Sequence, residues 1–172
     1  MSYGLSQLDV EELIDYCDVN QQEIEALYKR FRRLDKDRKG YISSDEFLSI
    51  PELSINPLAQ RLSFMVEGVN FRDFVKLVST FSTRASREQK LKLMFDVYDY
   101  DGDGYISEED MTQTLRYLVG STLTDEQVQT IISKVMVAAQ ADRRGMTFKQ
   151  YQDALSDAHV GLTVDMPSGD GA

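Results

Sequence analysis

Residues 99–110 read D-Y-D-G-D-G-Y-I-S-E-E-D, with an oxygen-bearing residue at almost every second position. Gly104 stands sixth, where a calcium-binding loop must turn sharply. Ca²⁺ is a hard cation that prefers several oxygen ligands, and alternate carboxylates on a tight loop supply them. The predicted ligands are Asp99, Asp101, Asp103, the backbone carbonyl of Tyr105, Ser107 directly or through a water, and Asp110.

Apolar residues at helical spacing flank this loop on both sides. Before the loop stand Leu91, Met94, Phe95 and Tyr98, and after it stand Met111, Leu115 and Leu118. This pattern predicts a helix–loop–helix unit, the EF-hand. Asp110 departs from the usual Glu at position 12, which binds the ion with both oxygens. We expect the shorter side chain to bind with one oxygen or to draw the loop inward. Either effect would lower the affinity for Ca²⁺ and reduce the preference of the site for Ca²⁺ over Mg²⁺.

Residues 35–46, D-K-D-R-K-G-Y-I-S-S-D-E, repeat the pattern with one flaw. The candidate ligands are Asp35, Asp37, the carbonyl of Tyr41, and Glu46. Lys39 stands at position 5, where it removes an oxygen ligand and adds a repelling charge. Glu46, which can bind with both oxygens, argues for a site. One Ca²⁺ is therefore expected in the chain, a second is left open, and Mg²⁺ is a candidate competitor.

Two further hands are predicted without metal chemistry. Val69 is the expected partner of Ile42 in a short β-bridge between paired loops, and Met146 is the expected partner of Ile106. Counting back from these residues places side chains that cannot form a metal site at the ligand positions: Leu62, Phe64 and Val66 in one hand, and Ala139, Ala141, Arg143 and Gln150 in the other. We therefore predict an all-α fold of four EF-hand units in two paired lobes with short β-bridges. A hand without metal still completes the core of its pair.

The predicted organisation has five parts. They are an N-terminal helical extension (1–20), an N-terminal EF-hand pair (21–81), a polar connector (82–87), a C-terminal EF-hand pair (88–158) and a tail (159–172). Ser6, Asn20 and Thr124 are the predicted N-caps of three helices, because Asp, Glu or Gln follows each of them three residues later. Gly120 is the predicted C-cap of the helix that leaves the 99–110 loop.

The composition excludes several classes of function. A net charge of −10 with 42% hydrophobic residues describes a folded acidic protein, which disfavours nucleic acid as a partner and suits a cation or a basic partner. The single cysteine, Cys17, cannot form an internal disulfide, which fits a reducing, cytoplasmic location. No apolar run approaches the roughly 18 residues of a membrane span. As numbered, residue 2 is Ser rather than Gly, so no N-myristoylation signal is predicted.

No catalytic site is predicted either. The single histidine, His159, has no Cys or His cluster near it in the sequence, which disfavours a zinc site or a histidine-based triad. The sequence contains no nucleophile–base set and no phosphate-binding glycine loop. We therefore expect a binding protein rather than an enzyme.

Four segments resemble the calcineurin B family, the regulatory subunits of the calcium-dependent protein phosphatase. They are I-P-E-L-S-I-N-P-L-A-Q-R (50–61), R-E-Q-K-L-K-L-M-F-D-V-Y-D-Y-D-G-D-G-Y-I-S (87–107), L-V-G (118–120) and L-T-V-D-M (162–166). The resemblance implies a non-catalytic subunit that presents an apolar groove to an amphipathic helix of a phosphatase catalytic subunit. The family usually has four working sites and a myristoylated glycine. Whether calcium switches this chain or only stabilises it is therefore left open.

Two alternatives remain. The calcineurin B homologous proteins, adaptors on the cytoplasmic tails of sodium–proton exchangers, share the 50–61 segment and resemble V-N-F-R at 69–72. The short connector at 82–87 favours calcineurin B instead. A free calcium buffer is the other alternative, and a single intact site with Asp at position 12 makes a poor one.

Overall fold

The computed structural model describes residues 6–49 and 59–157. The chain forms two compact units, and the boundary between them lies between residues 86 and 87. The segment at 50–58, which carries most of the first family resemblance, lies outside the described residues, as do His159 and the tail. Within the described ranges, no helix is long and apolar enough to cross a membrane.

The first unit is built mainly from helices. Its elements are α1 (Gln7–Cys17), α2 (Gln21–Leu34), β1 (Tyr41–Ile42), α3 (Ser44–Leu48), α4 (Ala59–Met65), β2 (Val69–Asn70) and α5 (Phe71–Thr80). The second unit repeats the plan with α6 (Arg87–Tyr98), β3 (Tyr105–Ile106), α7 (Glu108–Val119), α8 (Asp125–Ala138), β4 (Met146–Thr147) and α9 (Phe148–Ala154). The predicted all-α, EF-hand architecture is confirmed.

Side-chain caps fix where the helices begin. Ser6, Asn20 and Thr124 each accept a hydrogen bond from the backbone N–H three residues on, and each forms a reciprocal capping box. Such a cap contributes about 1 kcal/mol to helix stability. Gly120 ends α7 with a φ of +56°, a left-handed value that favours glycine. The predicted caps are therefore confirmed.

Each unit contains one two-residue antiparallel bridge between its paired loops. Ile42 pairs with Val69 in the first unit, and Ile106 pairs with Met146 in the second. Ile42 and Ile106 are fully buried, so each bridge also anchors its loops to the core. Both predicted pairings are confirmed.

Aromatic side chains make up the centre of the first unit. Phe31 of α2 meets Phe71 and Phe74 of α5 edge to face, with ring centroids 5.5 Å apart in both pairs. Helix α1 packs against α5, and its Glu12 forms ion pairs with Arg72 and Lys76. The helix at the start of the chain is thus an integral layer of this unit.

The core of the second unit corrects two sequence expectations. Leu91 and Phe95 of α6 are buried as predicted. The sequence pattern predicts Leu118 in the apolar stripe that follows the 99–110 loop, and Ile131 in a stripe with Val128, Ile132 and Val135. Leu118 and Ile131 are instead 43% and 36% exposed. In α8 the buried residues recur every fourth position, at 128, 132 and 136, so Ile131 lies to one side of the buried face. Leu118 lies in the last turn of α7, just before Gly120.

Candidate calcium sites

The 99–110 loop brings three predicted ligands together. The carboxylate oxygens of Asp99, Asp101 and Asp103 all lie within 4.8 Å of one another. Asp99 is buried and directly follows the last residue of α6, whereas Asp101 and Asp103 are exposed. Carboxylates at this separation can bind one hard cation together.

Backbone N–H groups shape this loop around Asp99. The Asp99 carboxylate accepts hydrogen bonds from the N–H groups of Gly102 at 2.8 Å, Gly104 at 3.0 Å and Asp103 at 3.2 Å. Gly102 and Gly104 have φ values of +72° and +87°, which a residue with a Cβ adopts only with strain. The two glycines therefore allow the chain to wrap around a carboxylate at position 1.

Asp110 closes the loop from the first turn of α7. One of its oxygens accepts a hydrogen bond from the N–H of Tyr100 at 3.1 Å, and the other accepts from the N–H of Ser107 at 2.8 Å. Ser107 is the N-cap of α7, and Asp110 completes the capping box. The carboxylate at position 12 is thus held toward the loop by the same residues that start the helix.

The negative charge of this loop is not balanced by any basic residue within it. Residues 99–110 include six acidic residues and no basic one, and two of the carboxylates, Asp99 and Asp110, are buried. Like charges held close together repel strongly where water is excluded. A divalent cation would relieve this repulsion, and the donor set of oxygens fits Ca²⁺ and, less selectively, Mg²⁺.

The 35–46 loop has a similar backbone arrangement but a different charge balance. Asp35 is fully buried and accepts hydrogen bonds from the N–H groups of Lys39 at 2.7 Å and Gly40 at 2.8 Å. Glu46 accepts from the N–H groups of Ser43 at 2.9 Å and Lys36 at 3.3 Å. Tyr41, whose carbonyl is a candidate ligand, lies in β1.

Lys39 contacts Glu46, the residue that the sequence pattern predicts to bind the ion with both carboxylate oxygens. Its ammonium lies 2.9 Å from Glu46 and 3.9 Å from the carboxylate of Asp37. Hydrogen bonds from Ser43, together with the bond from Lys39, lower the pKa of Glu46 to about 2. The sequence pattern predicts Lys39 only as a charge that repels the ion. Its contacts with the two loop carboxylates depend on the rotamer of a long side chain, which residue spacing does not encode.

The two remaining hands have no carboxylate at the ligand positions given above, and they differ in structure. In the second hand, α4 runs on to Met65, so Leu62 lies within a helix rather than a loop, and it is buried with Val66. In the fourth hand, the amide oxygen of Gln150 accepts a hydrogen bond from the N–H of Thr147 at 2.8 Å, and its amide nitrogen donates to the carbonyl of Gln140. A neutral amide therefore closes the fourth loop where a carboxylate would bind the ion.

Comparison with known proteins agrees with this architecture. The EF-hand domain pair model matches residues 88–156, and an EF-hand domain model matches residues 26–55. The chain is 42% identical to the calcineurin B subunit of Naegleria gruberi, over 86% of this chain and 87% of that protein. It is 37% identical to the calcineurin B subunit of Schizosaccharomyces pombe, over 96% of this chain and 99% of the relative. It is 39% identical to the type 2 calcineurin B subunit of Dictyostelium discoideum, over 80% of this chain and 78% of that protein.

These relatives are matched over most of their length and most of this chain, and at identities that establish common descent. The two EF-hand matches cover hands from both of the bridged pairs. The chain belongs to the calcineurin B family of EF-hand proteins.

Proposed function

We propose that this protein is a calcium-binding, non-catalytic regulatory subunit that binds an amphipathic helix of a calcineurin-type phosphatase catalytic subunit in the cytoplasm. The observation that carries the proposal is the combination of family membership with an intact oxygen ligand set at 99–110. The relatives are named as B subunits of calcineurin, which implies a catalytic partner chain.

Calcium binds at the 99–110 loop. The ligands are Asp99, Asp101, Asp103, the carbonyl of Tyr105, Ser107 directly or through a water, and Asp110. Because Asp110 is shorter than the usual Glu, it favours binding through one oxygen, and Mg²⁺ competes better than at a site with Glu. The ion neutralises the carboxylates and fixes α6 and α7 relative to each other at the ends where they meet the loop.

Exposed apolar side chains support a helical partner. Tyr117 and Leu118 of α7 are 44% and 43% exposed, and Val137 of α8 is 79% exposed. Paired EF-hands commonly bind an amphipathic helix through apolar side chains, and a net charge of −10 favours a partner with basic residues. A free calcium buffer needs neither feature.

The proposal is tested by recovering the tagged chain from its native cell in Ca²⁺ and again in chelator, and identifying co-purifying proteins by mass spectrometry. A phosphatase catalytic chain in both conditions supports a constitutive subunit with a stabilising ion. The same chain only in Ca²⁺ supports a calcium switch. Recovery of a transporter tail instead would move the assignment to the homologous adaptor group, and recovery of no partner would leave the buffer.

A further inference from the structure

We propose that Lys39 is the built-in cation of the first EF-hand: its ammonium takes the place in the 35–46 loop that Ca²⁺ takes in a working hand. The first hand is then closed without metal, and calcium acts on the second unit alone. This inference deepens the proposed function and rests on it for the role of the 99–110 loop.

The 35–46 loop has the backbone hydrogen bonds of the calcium-type loop. In both loops the carboxylate at position 1 accepts from the N–H groups of positions 5 and 6: Asp35 from Lys39 and Gly40, and Asp99 from Asp103 and Gly104. The glycines at position 6 have φ values of +86° and +87°. Lys39 therefore belongs to a loop that is already wound in the closed form.

The position 12 carboxylates are also held in the same way. Glu46 accepts from the N–H groups of positions 2 and 9, Lys36 and Ser43, just as Asp110 accepts from Tyr100 and Ser107. The two loops differ in what faces these carboxylates. In the first loop the Lys39 ammonium is 2.9 Å from Glu46 and 3.9 Å from Asp37, so it joins positions 3 and 12, which a calcium ion would join.

The environment strengthens this ion pair. The side chains of Lys39 and Glu46 are only 25% and 11% exposed, so water screens their attraction less than that of a surface pair. The lysine nitrogen also lies 5.2 Å from the centre of the Tyr41 ring, a cation–π distance. A calcium ion entering this loop would have to displace the ammonium and would meet its repulsion.

Protein groups alone also connect the first hand to the second. Glu67, in the turn before β2, accepts a hydrogen bond from the N–H of Ser44 at 2.6 Å, at the start of α3. The N–H of Gly68 donates to the carbonyl of Ile42 at 3.1 Å. These two hydrogen bonds join the first hand to the second without a metal ion.

Calorimetry on the full-length chain separates the two loops. In an Asp101→Ala background, which disables the 99–110 loop, we expect no calcium binding in the micromolar range. Adding Lys39→Ser, which removes the cation and supplies an oxygen, is expected to create one calcium site per chain. The matched control Lys39→Met removes the charge but supplies no ligand, and it is expected to bind much more weakly than Lys39→Ser.

Two results would overturn the inference. One is tight calcium binding by Asp101→Ala with Lys39 in place, and the other is no gain from Lys39→Ser in a chain whose circular dichroism shows it to be folded. Either result would leave the recovery of a phosphatase chain untouched, so this inference and the proposed function fail separately.

Hydrogen exchange of the wild-type chain gives an independent readout. In chelator, the N–H groups of Lys39 and Gly40 are expected to keep their protection, because Asp35 and the Lys39–Glu46 pair need no metal. The N–H groups of Gly102 and Gly104 are expected to exchange faster. Equal loss of protection in the two loops would contradict a built-in cation.

Discussion

Glu46, Asp110 and Gln150 stand at position 12 of three loops, and each completes a capping box at the start of its exit helix. What differs is the balance of charge. Lys39 faces Glu46, and Gln150 carries no charge, whereas Asp110 belongs to a loop without a basic residue. The 99–110 loop is therefore the one among these three whose charge we expect an external cation to balance.

A matched pair of substitutions at position 3 tests this difference. Asp101 and Asp37 are both exposed, so replacing either with Ala should leave the fold intact. Asp101→Ala is expected to weaken calcium binding by on the order of a hundredfold, because a charged ligand is lost. Asp37→Ala is expected to leave the affinity unchanged, and calorimetry compares the two. Equal losses would mean that both loops bind the ion.

Asp110→Glu should strengthen calcium binding, whereas Asp101→Ala should weaken it. The added methylene lets the carboxylate bind the ion with both oxygens, so we expect roughly tenfold tighter Ca²⁺ binding and less competition from Mg²⁺. Calcium titrations with and without millimolar Mg²⁺ measure both effects. A weaker site in the variant would show that the loop is built around the shorter side chain and cannot relax.

At the scale of elements, Gly145 controls how closely the two bridged loops of the second unit approach. A Cβ on Gly145 would lie 2.4 Å from the carbonyl oxygen of Ile106, and the residue has a φ of +135°. Gly68 precedes the bridge of the first unit in the same way, but a Cβ there would meet nothing within 4 Å. The two glycines are required for different reasons.

Gly145→Ala is expected to destabilise the second unit by about 2–4 kcal/mol, from backbone strain together with the clash. Gly68→Ala is the matched control and should cost about 1–2 kcal/mol, since only the left-handed conformation is strained. Thermal unfolding followed by circular dichroism measures both. Similar losses would show that the β3–β4 bridge can shift to admit a side chain.

Helix α1 is held on α5 by charge as well as by apolar packing. The hydrogen bond from Arg72 keeps the pKa of Glu12 below its ordinary value of 4.5. Because this pKa is lowered by docking, the ion pair contributes its full stabilisation of docking above pH 4.5, and this contribution declines as the pH falls from 4.5 through the lowered pKa. Cys17, the single cysteine, is buried at the end of α1 and reports on docking.

Arg72→Ala should therefore expose Cys17 more often. Labelling by a pyridyl disulfide is measured relative to an unstructured cysteine peptide at the same pH, because the thiolate is the reactive form and its fraction falls on acidification. On this relative scale we expect several-fold faster labelling of the variant at neutral pH with little further increase in acid, and slow labelling of the wild type at neutral pH that becomes faster below pH 4.5. Lys92→Ala, which removes an exposed ion pair with Asp96 in the second unit, is the control and should not change the rate. Unchanged labelling in Arg72→Ala would mean that apolar contacts alone hold α1.

Local signals predicted the elements better than the contacts between them. Loop spacing alone was sufficient to pair Ile42 with Val69 and Ile106 with Met146, because the bridge has a fixed position in each hand. The contact of Lys39 with Glu46 depends on the rotamer of a long side chain, and the docking of α1 on Arg72 depends on tertiary packing. Neither is encoded in residue spacing, and the exposure of Ile131 similarly depends on the rotation of α8.

At the scale of the whole molecule, the two units hold their EF-hands in different ways. In the first, the Lys39–Glu46 pair balances charge within one loop, and Glu67 accepts a hydrogen bond from the N–H of Ser44 at the start of α3. In the second, Gln150 closes one loop and the other presents six acidic residues. Part of the chain's net charge of −10 thus lies in the loop where we propose that the ion binds.

We propose that the four hands share a single calcium site, and native mass spectrometry of the wild-type chain in calcium tests this most directly. We predict one bound calcium per chain, which is lost in Asp101→Ala and retained in Asp37→Ala. Two or more specifically bound ions, or one ion that survives Asp101→Ala, would contradict this assignment of the site.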